Sequence, residues 1–592
     1  MAVSRWMCAG RGATLGAVLL ALASCSEPPA QSPAEEGAEP AASDASPTLY
    51  AARSVITMDP ELPRAEAVAV ADERIVAVGA LAELRGRYPG ASVDETFADH
   101  VVMAGLIDQH LHPFLAALTM TAEVVSIEEW VLPERTFPAA RDPESYLALL
   151  GAAAAAMEDP AAPLISWGYH HYFHGSLTRK ELDAISDSRP ILVWHRSAHE
   201  FVLNTPALAA AGVTEEMVAA EDEVIREQIN LADGHFWERG NFDFLVPRLM
   251  PVLAAPERFR AGLELTEAYL HASGVTLSAE PGGLAGVYDT YNAVLGDAGT
   301  PFRFYFIPDG RGDPKGSSDA ELVAAVEASL APITDRTGPL TGHVKLFADG
   351  AMFSQLMQMQ DGYTDGHEGE WLMEPETFRR VFRAFWDAGY QIHVHQNGDA
   401  GLELVLDTLE ANLARNPRDD HRTTIVHFGF SKAEQVERIA QLGAIVSANP
   451  YYTVALADRY SEIGIGPERA NAMVRLGGVA RAGVRFSLHS DMPMAPGSPL
   501  FLAWAAVNRV TPSGRVAGPD QRVSLQDALE AVTIDAAYSL RLEDEVGSIT
   551  PGKLANFTVL EADPFAVEPM EIKDIGVWGT VFEGRLQPVV GR

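Results

Sequence analysis

The segment "MAGLIDQHLHPF", Met103–Phe114, sets His110 and His112 one residue apart at the end of a short apolar run. Side chains alternate along an extended strand, so the two imidazoles share one face and Leu111 takes the other. Two neutral imidazoles at that spacing can bind one divalent ion. Ligand-type groups recur in four more apolar segments: Lys345 in "HVKLFADG", His393 and His395 in "IHVHQNGDA", His427 in "IVHFG", and His489 with Asp491 in "SLHSDMP". Each is weak alone. Seventeen histidines make chance pairs common, a lone Lys345 is more often a surface lysine lying along apolar surface, and a lone His427 is more often a satisfied core histidine. Five strand ends of this kind are hard to explain by packing, because each unsatisfied buried polar group costs about 1–3 kcal/mol.

Repeated strands must carry these groups to one place. Short apolar runs occur at "VVMAGLID", "PILVWHRS", "GVTLSA", "FRFYFIP", "HVKLFAD", "QIHVHQ", "TTIVHF", "AIVSAN" and "VRFSLHSD". Between many of them lie helical patterns such as "PETFRRVFRAFWDAG" and "SKAEQVERIAQLG", the second with Ser431 as expected N-cap and Glu434 three residues on. Strand and helix in alternation predict parallel strands with right-handed crossovers, and the count suits an eight-stranded barrel better than a small open sheet. Residues 113–270 are too many for one strand-to-helix loop and read as an insertion over the barrel mouth. The hairpin pattern "RAEAVAVADERIVAVG" and the strand-like "ANFTVLEAD" and "GVWGTVFEGRL" lie near opposite ends of the chain. They suggest one small β domain built from both ends.

The 592-residue chain is too long for one ordinary core. A formal net charge of -37 argues against nucleic acid or an anionic membrane surface as partner. It reads as an acidic solvated surface, with a preference for cationic substrates as the less favoured alternative. "MAVSRWMCAGRGATLGAVLLALASC" has the layout of a signal peptide, its apolar run too short to span a bilayer. Its end, Leu22-Ala23-Ser24-Cys25, resembles the bacterial lipoprotein cleavage box, with Cys25 as the lipidated residue. Expected domains are therefore a signal at 1–24, a tether at 25–47, β segments at 48–102 and 541–592, and the barrel at 103–540. The expected location is outside the cytoplasm, periplasmic or at the cell surface, held to the membrane only through the lipid. The two cysteines, Cys8 and Cys25, both fall in this leader. The mature chain then has no thiol for a disulfide or a metal.

Taken in order, "GLIDQHLH", "GHVKLFADGA", "HVHQNGDAGLELVLDTLE", "IVHFG", "SDMPMAPGSPL", "ALEAVTIDAAYSL" and "GSITPGKLANFTVLEADP" resemble the amidohydrolase superfamily, and within it the family-3, YtcJ-like branch. The resemblance runs from about Leu49 to the C-terminus. It implies a distorted (β/α)8 barrel with a small β-sandwich from both termini. It also implies His110, His112, Lys345, His395, His427 and Asp491 as metal ligands. His110, His112 and Asp491 would hold one ion, His395 and His427 the other, and a carboxylated Lys345 would bridge them. A neutral amine that has captured CO2 offers anionic oxygens where an ammonium would repel a cation. Two zinc ions per chain are the default for such ligands, with iron, manganese or cobalt as alternatives. The chain departs from the family pattern at Val426, usually Glu, at His489-Ser490-Asp491, usually Gly-Ser-Asp, and at Ala351, usually Ser. None of these removes a ligand. His489 reads as a substrate contact or as a partner that orients a ligand.

The implied reaction is hydrolysis of an amide, carbamate or N-acyl C–N bond in a small molecule by a metal-bound hydroxide. Asp491 would act as general base and then acid, and His199 of "PILVWHRSAHEFVLNTPALAAAG", or His489, would steady the oxyanion. Tyr451 and Tyr452 are candidate substrate contacts. His170, His171 and His174 in "SWGYHHYFHG" read as partly exposed loop histidines, with a second metal site as the less favoured reading. Competing readings keep the barrel but make it a lactonase or esterase, an isomerase or a decarboxylase, or leave it a solute-binding lipoprotein with a dead site. A homo-oligomer is compatible with the sequence.

Overall fold

The structure, a computed structural model, describes residues 46–132, 135–283, 285–312 and 314–589. The signal, the lipidation site at Cys25 and most of the tether lie outside the described residues. Among the described residues no helix is long and apolar enough to cross a membrane.

The two ends of the chain meet in one seven-stranded sheet. Thr48–Ile56 pairs antiparallel with Arg64–Ala71, which pairs antiparallel with Arg74–Gly79 as the alternating sequence predicts. Thr48–Ile56 also runs parallel to Ser92–Ala104, whose other edge takes the C-terminal strand Phe557–Leu560. Val577–Phe582 and Arg585–Pro588 complete the sheet.

Among the described residues, eight parallel strands frame the predicted ligands, five of the eight carrying them, and a short ninth, Thr337–Pro339, pairs parallel with one of the eight, Arg303–Pro308. The first three are Leu106–Asp108, Val275–Gly283 and Arg303–Pro308; the last five are His343–Phe347, Gln391–Gln396, Thr424–His427, Ile445–Ala448 and Phe486–Leu488. The two groups meet along one edge through a parallel bridge between Asp309 and Lys345. Along the other edge, Gln109 Nε2 donates to Ser447 and Ser487, and Asp491 N–H donates to His110 O at 2.9 Å. Both faces are covered, which is why these strands read as nearly continuous apolar runs. Pro375–Asp387 forms the predicted helix, burying Phe378, Val381, Phe382 and Phe385 along one face.

Two local expectations are corrected. "PILVWHRS" does not join the parallel set. Ile191–His195 belongs to a separate six-stranded sheet with Leu164–Tyr169, Glu200–Leu203 and His235–Trp237, inside the insertion. A fully buried strand looks the same in sequence whichever sheet it enters. The helix Ala433–Leu442 is capped at Lys432, not Ser431. Lys432 N–H donates to Gln435 Oε1 at 3.0 Å, and its ammonium is held 3.0 Å from Asp361. Ser431 is left buried behind it, its hydroxyl without a hydrogen-bond partner.

Candidate metal centre

Five of the six side chains expected as ligands lie at or just beyond the C-terminal ends of the parallel strands, and Lys345 lies in the middle of His343–Phe347. Asp491 is the centre of the group. Its Oδ1 lies 3.2 Å from His112 Nε2 and 3.4 Å from His110 Nε2, and its Oδ2 lies 3.6 Å from His427 Nδ1. His395 stands beside His427, ring centroids 4.5 Å apart, and across the strand pair from Phe347. His110, His427 and Asp491 each present a ligand atom within 4.8 Å of the others. Lys345 is 1% exposed, within an otherwise apolar strand.

The backbone turns sharply to deliver these groups. His427, Phe428 and Asp491 have φ of 72°, 53° and 55°, a left-handed conformation that costs a non-glycine residue about 1–3 kcal/mol. Asp108 helps to hold the last turn, accepting from Ser490 N–H at 3.0 Å and from Ser490 Oγ at 2.5 Å. Burial raises the Asp108 carboxyl to about 7 despite these bonds. Asp349 fixes another loop in the same way. It accepts from the backbone N–H of Asn397, Gly398 and Gln358 at 2.7–3.0 Å, and Asn397 Nδ2 reaches His395 Nε2 at 3.0 Å.

Burial, and after it the neighbouring positive groups, push His110, His395, His427 and His489 well below the usual imidazole range. Burial lowers Lys345 to about 7. His112 is the exception. Burial pulls it down too, but Asp491 and Glu280 outweigh that and raise it to about 9. Glu280 Oε1 is 3.8 Å from His112 Nδ1 and accepts a long bond from Tyr291 OH. A cation here would take the place of the His112 proton. The donor set fits one: four imidazoles, a carboxylate and an amine that burial favours as neutral. His110 Nε2 and Lys345 Nζ are buried without a hydrogen-bond partner, as ligand atoms would be.

The structure separates the remaining candidates. His489 is fully buried and stacked on His110 at 4.5 Å. Its Nδ1 meets Ser447 Oγ at 2.8 Å and its Nε2 meets His427 Nδ1 at 3.2 Å, so both nitrogens are engaged by the protein. His199 comes from the insertion. Its Nδ1 sits 3.1 Å from both oxygens of Glu238, and although burial lowers its pKa, that carboxylate raises it overall. Tyr451 OH turns away to Arg196 Nη2 at 3.3 Å, whereas Tyr452 packs on Phe353. Sequence reasoning missed Glu280, Glu238 and Asp108. An acid inside the apolar strand "VTLSAEPGG" was the signal for Glu280, and one in "GLIDQHLH" for Asp108; Glu238 lies in the insertion and had none. The insertion histidines are more buried than expected: His170 and His174 are 0% and 3% exposed.

Residues 98–587 match the amidohydrolase family, and the chain belongs to it. A short stretch, residues 67–91, also matches the imidazolonepropionase-like composite domain of bacteria. The chain is similar to the putative amidohydrolase YtcJ of Bacillus subtilis (strain 168), 25% identical over 555 residues, covering 90% of this chain and 97% of that protein. It is similar to the N-substituted formamide deformylase of Arthrobacter pascens, 24% identical over 563 residues, again 90% and 97%. An uncharacterized metal-dependent hydrolase from Pyrococcus horikoshii shares the fold, with a TM-score of 0.67 at 19% identity over 88% of this chain and 99% of that one. This is a metal-binding hydrolase of the amidohydrolase family.

Proposed function

We propose that the chain cleaves a C–N bond in a small amide, carbamate or N-acyl compound, and that its eight parallel strands form one distorted barrel with the site at its mouth. The observation that carries this reading is the Asp491 carboxylate within 3.2–3.6 Å of three imidazoles from two other strand ends, His110 and His112 after Leu106–Asp108 and His427 at the end of Thr424–His427. The formamide deformylase among the relatives supports a C–N substrate. His110, His112, His395, His427 and Asp491 would hold one or two divalent ions, zinc by default, with Lys345 as a bridging carbamate. When bound, the ions supply Lewis acidity that lowers the pKa of water and polarises the scissile carbonyl.

The residues of the chain do the rest. The neutral Lys345 amine adds to CO2 and loses a proton, giving an anionic ligand. Asp491 accepts the proton of the attacking water and returns it to the departing nitrogen. His199, its pKa raised by Glu238 against the effect of burial, donates to the oxygen that gains negative charge. His489 touches no substrate and orients His427. Export and lipid attachment at Cys25 are included in the proposal on the leader sequence alone.

A metal-loaded protein lacking the leader, tested on a panel of N-acyl amides, carbamates, lactones and simple esters, decides the reaction class. Turnover of amides or carbamates supports the proposal; turnover of lactones alone replaces it.

A further inference from the structure

The insertion holds a second group of imidazoles that the site above does not use. His170 and His171 follow the strand Leu164–Tyr169 directly, and His195 ends its parallel neighbour Ile191–His195. Those strands pair in parallel with Trp194 opposite Trp167, and a one-residue slip at Gly168 then sets His195 opposite Tyr169, so their ends deliver the three rings together. Each ring offers a nitrogen within 4.8 Å of the other two, and His171 Nδ1 is 3.3 Å from His195 Nε2. His170 is fully buried, and its Nε2 has no hydrogen-bond partner.

We propose that His170, His171 and His195 form a second site for a late first-row divalent ion such as Zn2+, sharing no residue with the barrel-mouth site. Three imidazoles suit zinc, copper or nickel better than magnesium or calcium. Burial lowers all three imidazoles, and outweighs the opposing pull of Glu200 on His171 and His195, leaving lone pairs for a metal. His195 has the support that a metal-binding histidine usually shows. Its Nδ1 is 2.8 Å from Ser197 Oγ and 3.7 Å from Glu200 Oε1, and Glu200 is anchored to His235 Nε2 at 2.8 Å. With Nδ1–H donated to Ser197, the Nε2 lone pair remains for the ion. Two contacts favour the opposite tautomers: Ser197 N–H lies 3.1 Å from His195 Nδ1, and Tyr172 N–H lies 3.3 Å from His170 Nδ1. In those tautomers His195 Nε2–H donates to His171 and the cluster binds no ion.

The position gives such an ion a purpose. The His170 ring packs against Phe353 and Tyr460, which follow the fourth and seventh parallel strands. Tyr172 bonds Gln355 through its hydroxyl and Arg459 through its carbonyl. An ion held by His170, His171 and His195 would tie together the two insertion strand ends whose residues pack on those loops.

The test is metal content by mass spectrometry, after zinc loading and desalting, for the wild-type chain and for His171→Gln and His195→Gln. The expected result is one zinc equivalent fewer per chain in each variant, with turnover retained and a smaller zinc-dependent rise in Tm. Equal content in wild type and both variants overturns the site, leaving a hydrogen-bonded histidine cluster. A His110→Ala/His427→Ala chain supplies the converse. It should keep one equivalent that is lost when His171→Gln is added; an unchanged count on that addition overturns the proposal even if the single variants fold poorly. Neither count depends on which bond the barrel site cleaves.

Discussion

His427 and His489 face each other at 3.2 Å, Nδ1 to Nε2, with Ser447 Oγ 2.8 Å beyond. If His489 donates Nδ1–H to Ser447, its Nε2 accepts from His427 Nδ1–H and leaves a lone pair on His427 Nε2. His489 then selects a tautomer and needs no contact with substrate. His489→Gln should weaken metal affinity about 10–100-fold, the usual effect of losing such a partner, with KM unchanged in the fully loaded enzyme. A metal titration alongside steady-state kinetics checks this. A raised KM at intact affinity would make His489 a substrate contact instead.

Asp491 touches three imidazoles and is assigned both proton transfers. Asp491→Asn keeps the shape and loses the proton acceptor. The expected loss in kcat is about 10²–10⁴-fold, with an unchanged circular dichroism spectrum. Turnover near that of wild type would remove Asp491 from the mechanism.

Lys345 gives a pH signature in chelator-treated protein. Burial lowers its pKa from 10.5 to about 7. Between those values the unfolded chain binds the proton that the folded chain has lost, so stability rises with pH across the window. Lys345→Met should flatten that rise in a plot of Tm against pH, and should also lower metal content. A carbamate carbon signal on adding labelled bicarbonate to the wild type, absent in Lys345→Met, is the direct check.

Glu238 acts through His199. Glu238→Gln removes the carboxylate that raises the His199 pKa, so that pKa should fall and the alkaline limb of the pH–rate profile should shift to lower pH. Imidazole NMR titration follows the same change. An unmoved His199 titration would show that the pair is not coupled.

Gly401 has no room for a side chain: a Cβ there would stand 2.5 Å from Asp349 Oδ1. Gly401→Ala should destabilise by about 1–3 kcal/mol, as overpacking does, read from chemical denaturation. Because Asp349 also fixes the backbone beside His395, metal affinity should fall with it.

The parallel strands were legible because runs buried on both faces stay apolar until they end, and the ends stood out as His, Lys and Asp. What stayed hidden is tertiary. Ile191–His195 carries the same apolar pattern in a different sheet. Ser431 satisfied a local capping rule, but the chain buried it and capped one residue later. Glu238 finds His199 only after the insertion folds, and nothing beside either residue in sequence announces the pair. His170 sits in a polar-looking stretch, "SWGYHHYFHG", yet packs among rings brought from distant loops.

The strand Ser92–Ala104 is flanked by one neighbour made before it and one made after the whole metal centre, Thr48–Ile56 and Phe557–Leu560. During synthesis its second edge stays bare until Phe557–Leu560 has emerged, offering open amide and carbonyl groups to any passing strand. A stop codon late in the reading frame would spare every ligand of the metal centre and still leave that seam unsealed, so loss from such a truncation should show as aggregation.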